Sequence, residues 1–393
     1  MTKLFKEFFN SEKSSGIILI LSTVLSLCLA NIFIGQSYID FWHHKAGFSI
    51  SNFELNLSIE HWINDGLMTI FFLMVGLEIE RELYAGELSS IKNASLPVVA
   101  AIGGMAIPAL FHFLFNAGTH TQSGFGIPMA TDIAFALGVL SLAGKRVPLA
   151  LKIFLTALAI IDDLGAILII AIFYTNDLQT TYLFIALGIF GILLVLNRLR
   201  VYQLVWYLLG GTVMWYCMLQ SGVHATISGV LLAFAIPFGD GKENSISYKL
   251  QHFLHYPVAF IIVPLFAFAN TGIIISGSIN EILINNNSLG IMAGLILGKP
   301  VGILLLCFLA VKLRVGKLPD GVSWLQLAGA GVLAGIGFTM SIFITLLAFN
   351  DAAIIQHSKI AILVSSLIAG VAGFILIKRA TASSPVAEEH TGE

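Results

Sequence analysis

Long apolar runs recur along this chain with so little interruption that the bilayer, not water, has to be its solvent. A helix needs about 20 apolar residues to cross roughly 30 Å of hydrocarbon. Runs near that length fall at about residues 16–35, 59–84, 95–116, 121–143, 149–175, 181–199, 204–219, 222–236, 255–274, 288–312, 326–350 and 357–378. Composition agrees: 57% of the residues are hydrophobic and 11% charged, against about 25% charged in soluble domains. The sequence therefore predicts an all-α membrane protein of about twelve transmembrane helices, since in lipid each segment has to satisfy its own backbone.

Other classes fall away quickly. The net charge of −2 provides no basic field for nucleic acid. Cys28, Cys217 and Cys307 lie in apolar segments, an odd number without metal-ligand spacing, and read as packing residues. No cofactor is expected. The first span follows Lys3, Lys6 and Lys13 as in a signal peptide, but its length and the spans after it point to an uncleaved helix.

Lys and Arg set the orientation. Lys92, Lys152, Arg198, Arg200, Lys242, Lys312, Arg314, Lys378 and Arg379 share one side with the amino terminus and Lys145, whereas Lys45 and Lys359 stand opposite. Both termini are thus expected in the cytoplasm. Residues 1–378 read as one transmembrane domain and 379–393, small and polar, as a disordered tail. Leu4, Phe5, Phe8 and Phe9 fit a short interfacial helix or a frayed start, and both readings stay open. Residues 45–59 alternate with period two around Ser51-Asn52, which predicts an external β-hairpin. Its edges could pair with a second copy or fold back on the chain.

Two spans look broken. Gly124, Gly126 and Pro128 precede Thr131-Asp132, with Thr131 a candidate N-cap, and Gly335-Ile-Gly337 precedes Thr339 and Ser341. Each is the middle span of a triplet, and the two triplets start from opposite sides. Inverted-topology repeats with paired broken helices mark a midplane site.

Asp132, Asp162, Asp163 and Lys299 sit near the midpoints of their spans. Each such charge costs roughly 2.5–3.5 kcal/mol at helix centre, so they should share one interior site. One lysine cannot neutralise three carboxylates. Adjacent helical residues point about 100° apart, so one of Asp162 and Asp163 should face a cation path while the other meets Lys299. A carboxylate can hold a hard monovalent cation or a proton, and competition between them yields exchange. At the cytoplasmic end of the second span, Glu78, Arg81 and Glu82 share a side with Lys249, His252 and His255, a cluster suited to sensing pH or to plain ion pairing. Asp65 and His224, lone polar groups near an interface, read as structural.

The strings Ala130-Thr-Asp-Ile-Ala-Phe-Ala-Leu-Gly138, Ala157-Leu-Ala-Ile-Ile-Asp162-Asp163-Leu-Gly165, Ser221-Gly-Val-His224-Ala-Thr226, Leu265-Phe-Ala-Phe-Ala-Asn270, Gly298-Lys299-Pro300 and Gly335-Ile-Gly-Phe-Thr-Met-Ser341 closely resemble the NhaA family of sodium/proton antiporters. The likeness spans nearly the whole chain. It implies electrogenic exchange of cytoplasmic sodium or lithium for external protons by alternating access in a bacterial inner membrane. It also implies a homodimer joined partly by the hairpin, and activation at alkaline pH. On the matching positions, Asp163 corresponds to the principal cation ligand, Asp162 to the proton-carrying partner of Lys299, and Asp132 with Thr131 to the group that offsets helix-end charges at the crossing and shares in cation binding and proton exchange. Glu78, Arg81, Glu82, Lys249, His252 and His255 match the pH-sensing set. Gln251 departs from a frequent Glu, which bears on the pH set point. Two rivals stand beside this reading. A sodium-coupled solute symporter also suits broken helices. An intramembrane aspartyl hydrolase would need one protonated carboxyl of a dyad, which Lys299 opposes.

Overall fold

The computed structural model describes residues 3–50, 53–144, 146–175, 178–275 and 277–382, with the backbone alone for 3–13, 48–50, 53–54 and 91. The hairpin tip Ser51-Asn52, Lys145, the tail beyond 382 and the side chains of Leu4, Phe5, Phe8 and Phe9 lie outside what is described.

Helices follow one another with short links. α1 (Lys3–Cys28) runs into a π-helical turn, Leu29–Phe33, and α2 (Gln36–His43) leads to strands β1 (Lys45–Ile50) and β2 (Phe53–Ser58). α3 (Ile59–His61), a π-helical stretch Trp62–Leu67 and α4 (Met68–Ala85) form one crossing. α5 (Ile91–Asn116), α6 (Ile133–Leu142), α7 (Leu149–Phe173), α8 (Thr180–Arg198), α9 (Leu204–Ser221) and α10 (Ile227–Ala235) follow. Then come α11 (Ile246–Pro257) and α12 (Val263–Asn270), joined by the π-helical turn Val258–Ile262, and a short α13 (Ile279–Leu283). α14 (Asn286–Ala293) continues through the π-helical turn Gly294–Gly298 into α15 (Lys299–Lys312), followed by α16 (Trp324–Ala334), α17 (Phe338–Ala348) and α18 (Ala352–Ala382).

Among the described residues nine helical stretches are long and apolar enough to cross a membrane, and α16 with α17, bent by 43°, makes a tenth. The difference from twelve lies at 204–219 and 222–236. There α9 has 18 residues diluted by Gly210, Gly211, Thr212 and Gln220, and α10 has nine. Nine residues rise only about 14 Å. The tail boundary also moves: α18 runs on to Ala382 because Ala380 and Thr381 are buried, and the Thr381 hydroxyl donates back to the Ile377 carbonyl at 2.8 Å. α1 is continuous from Lys3, so the first residues extend the first crossing rather than form a separate helix.

The period-two segment is a hairpin. β1 and β2 pair antiparallel from Lys45↔Ser58 to Ile50↔Phe53. Ser58 then caps α3, accepting from the His61 amide at 3.1 Å, and the Trp62 indole donates to the Ala46 carbonyl at 2.7 Å.

Small residues set how closely helices approach. Gly290, Gly294, Gly298 and Gly302 fall every fourth position along α14, the π-turn and α15, all on the side facing α5. A Cβ at Gly298 would lie 2.9 Å from Pro108 Cα, and one at Gly290 2.6 Å from Asn116 Nδ2. At Gly302 it would strike the Gly103 carbonyl. The two backbones therefore run flush, as small-residue stripes permit in lipid, and this contact holds Lys299 at a fixed depth.

Candidate ion site

The site forms where two interrupted segments cross. Gly124, Gly126 and Pro128 prevent a regular α-helix, and Gln122–Met129 coils as a 3-10 helix before α6 begins at Ile133. The Tyr174 hydroxyl braces that coil by donating to the Ser123 carbonyl at 2.8 Å and accepting the Gly126 amide at 3.3 Å. The other crossing breaks at Gly335–Gly337, between α16 and α17.

The broken ends are tied to each other. The Asp132 amide donates to the Ile336 carbonyl at 2.7 Å, and the Ser341 hydroxyl to the Ile127 carbonyl at 2.7 Å. Asp132, and not Thr131, is the N-cap of α6: its Oδ1 accepts from the Phe135 amide at 3.0 Å. Its Oδ2 accepts from the Thr339 amide at 3.2 Å and the Thr339 hydroxyl at 2.5 Å, near the start of α17. One carboxylate thus serves two positive helix ends. Thr131 is displaced from the cap because its hydroxyl shares a proton between Asp162 Oδ2 at 2.9 Å and the Ala334 carbonyl at 3.0 Å. Lys299 meets the other negative end, donating to the Met129 carbonyl.

Lys299 Nζ lies 2.8 Å from Asp162 Oδ2, and both side chains are 0% exposed. Asp163, on the next position of α7, is also buried, and so is Asp132. Asp162 Oδ1 and Asp163 Oδ1 are buried without a hydrogen-bond partner among the described residues. A buried carboxylate oxygen with no donor is expensive. One lysine faces three buried carboxyls, so the cluster carries more acid groups than the cation beside it can neutralise. Asp162 turns to Lys299 and Thr131, whereas Asp163, one position on along the helix and about 100° round it, is buried and takes no part in that contact.

A cavity of about 620 Å³ approaches from the end of the molecule where α4 terminates. Glu78, Arg81, Glu82, Gln251, His252 and His255 line it, and its inner wall reaches Thr156 and Ala157 on α7. Ala157 is five residues from Asp162, about 7.5 Å along the helix. Arg81 stands 3.4 Å from Glu82 and 3.8 Å from Glu78. Lys249 is exposed and does not line the cavity. Asp65 pairs with His61 at 2.6 Å, and His224 with the Tyr174 carbonyl at 2.8 Å.

Several contributors were not singled out from sequence. Thr339 stood in a quoted string without a partner. The Met129, Ala334 and Ile336 carbonyls leave no sequence signal, because every residue has one. Tyr248, Tyr256 and Glu87 of the cavity wall are ordinary in composition and become neighbours only through helix packing.

A multi-pass membrane protein that buries three carboxyls and one lysine where two interrupted segments cross, with a cavity rimmed by Glu78, Arg81 and Glu82 leading toward them, has the form of an ion transporter. Comparison narrows the class. Residues 6–377 match the sequence model of the family described as Na+/H+ antiporter 1, and the chain belongs to that family. It is similar to a protein of Flavobacterium psychrophilum named Na(+)/H(+) antiporter NhaA, 64% identical over 378 residues and covering 96% of each chain. A protein of the same name from Dechloromonas aromatica is 60% identical over 379 residues, 95% of each chain. That of Cytophaga hutchinsonii is 56% identical over 393 residues, 100% of this chain and 99% of its own.

Proposed function

We propose that the chain exchanges sodium or lithium for protons, with Asp163 the principal cation ligand and Asp162, paired to Lys299, a second proton-handling group. The observation that carries this reading is the donor-free Oδ1 of Asp163 beside an Asp162 already held by Lys299 and Thr131. A cation or a proton satisfies that oxygen, but not both together. Cytoplasmic sodium reaches it through the cavity lined by Glu78 and His252. After the site opens to the other side, a proton takes its place.

Two groups take up protons while one cation leaves, so more positive charge enters than departs. An inside-negative potential then drives extrusion, at about 2.3 kcal/mol per elementary charge per 100 mV. Asp132 and Thr131 keep the crossing neutral through both states. In the same reading the chain makes twelve crossings, with α9 and α10 as the seventh and eighth. Spans three to five and ten to twelve form inverted repeats. Both termini face the cytoplasm of a bacterial inner membrane, and the external hairpin joins two copies. The cluster of Glu78, Arg81, Glu82, Lys249, His252 and His255 adjusts activity to pH.

The test is cation-driven proton flux in proteoliposomes across pH. Sodium or lithium, without any solute, should release protons from the site. A flux that requires an added solute would favour sodium-coupled symport. Asp163→Asn should abolish both exchange and cation binding, since an amide has no charge to trade; sodium-dependent proton release by that variant would overturn the assignment.

A further inference from the structure

We infer that residues 272–275, the non-helical segment after α12 and its cap Thr271, form a strap across the face opposite the cavity, and that Gln356 is its releasable clasp. The inference rests on the alternating-access reading above. The chain passes from the cavity wall at Gln251 through α11 and α12 and emerges at the opposite face. There it is gripped on one flank by the first crossing and its extension. Asn31 brackets it like a neighbouring strand, its Nδ2 donating to the Ile273 carbonyl at 2.7 Å and its Oδ1 accepting the Ile275 amide at 2.8 Å. Ser26 and Tyr38 both donate to the Phe268 carbonyl, at 2.8 and 2.7 Å. Asn270 donates to Asn64 Oδ1 at 2.8 Å. Gly272 leaves room for the Tyr38 ring, whose Cε1 a Cβ there would approach to 2.5 Å.

The other flank is different. Gln356, in the second turn of α18, donates to the Ile274 carbonyl. α18 belongs with the site: Ser366 Oγ accepts from the amide of Phe338, the first residue of α17, at 3.1 Å. Opening the site to the far side requires the elements that carry it to part from the wall the strap continues. The Asn31 flank is held through several groups, whereas among the described residues this flank has one neutral side-chain bond. The clasp is where the strap lets go.

Two measurements test this, one of them independent of flux. In Gln356→Leu the far-side-open population should rise about two- to tenfold, the worth of one net hydrogen bond. Reaction of an Ile167→Cys thiol, buried one turn beyond Asp163 on α7, with an impermeant reagent applied from the far side should quicken by the same factor. An unchanged rate overturns the clasp whether or not the protein exchanges ions. The second measurement replaces Cys28, Cys217 and Cys307 by Ser and joins thiols with a short bis-thiosulfonate. Joining Ile274→Cys to Gln356→Cys should stop sodium-dependent proton release, and reductant should restore it. Joining Asn31→Cys to Ile275→Cys replaces a grip that stays closed and should leave exchange running. Continued exchange with the first pair joined, or equal arrest by both, overturns the strap. Absence of exchange before cross-linking refutes the antiport reading instead, while the thiol rate still decides the clasp.

Discussion

At the scale of single residues, the site is a problem of charge in a medium that will not solvate it. Lys299→Ala leaves Asp162 buried with Thr131 as its one remaining donor among the described residues. Breaking one partner of such a pair costs about 3–5 kcal/mol. The variant should melt at a lower temperature in detergent and show an altered pH profile of exchange; unchanged values of both would dissolve the pairing. These residues were legible in the sequence because an intramembrane charge is rare and costly enough to need an explanation. The capping at the crossing was not. Thr131 and Asp132 are both good caps, and only the place of Asp162 decides that Thr131 turns away. Backbone carbonyls such as Met129 are invisible to any reading of side chains.

At the scale of elements, the glycine ladder decides what the α5–α15 contact tolerates. Gly302→Val forces a branched side chain against the Gly103 carbonyl. Overpacking costs about 1–3 kcal/mol where side chains can yield, and a backbone cannot. The expected result is a fall in melting temperature, together with reduced exchange because Lys299 shifts. Wild-type stability would mean that the helices are not in contact at that level. The hairpin was legible from its period of two and the long crossings from their length. The 3-10 coil at Gln122–Met129 was only half legible, since Gly and Pro announce an interruption without saying what replaces the helix. The seventh and eighth segments were the least secure, because Gly222, with φ 81°, ends α9 and leaves only a short helix beyond.

At the scale of the whole molecule, the cavity wall brings Gln251 beside His252 and His255, opposite Glu78 and Glu82. Gln251→Glu adds a negative charge that holds protons in this cluster. If the cluster sets activation at alkaline pH, half-activity should move to higher pH by about one unit, read as proton flux at stepped pH; an unmoved profile would make the cluster a bystander. The Asp162–Lys299 contact has a further consequence in time. Lys299 follows Asp162 by about 140 residues, and translation proceeds at about 5–20 residues per second. For about 7 to 27 seconds the nascent chain holds both aspartates of α7 with their counter-ion still unmade. Insertion must therefore take α7 in protonated form or keep it beside the insertion machinery until α15 arrives.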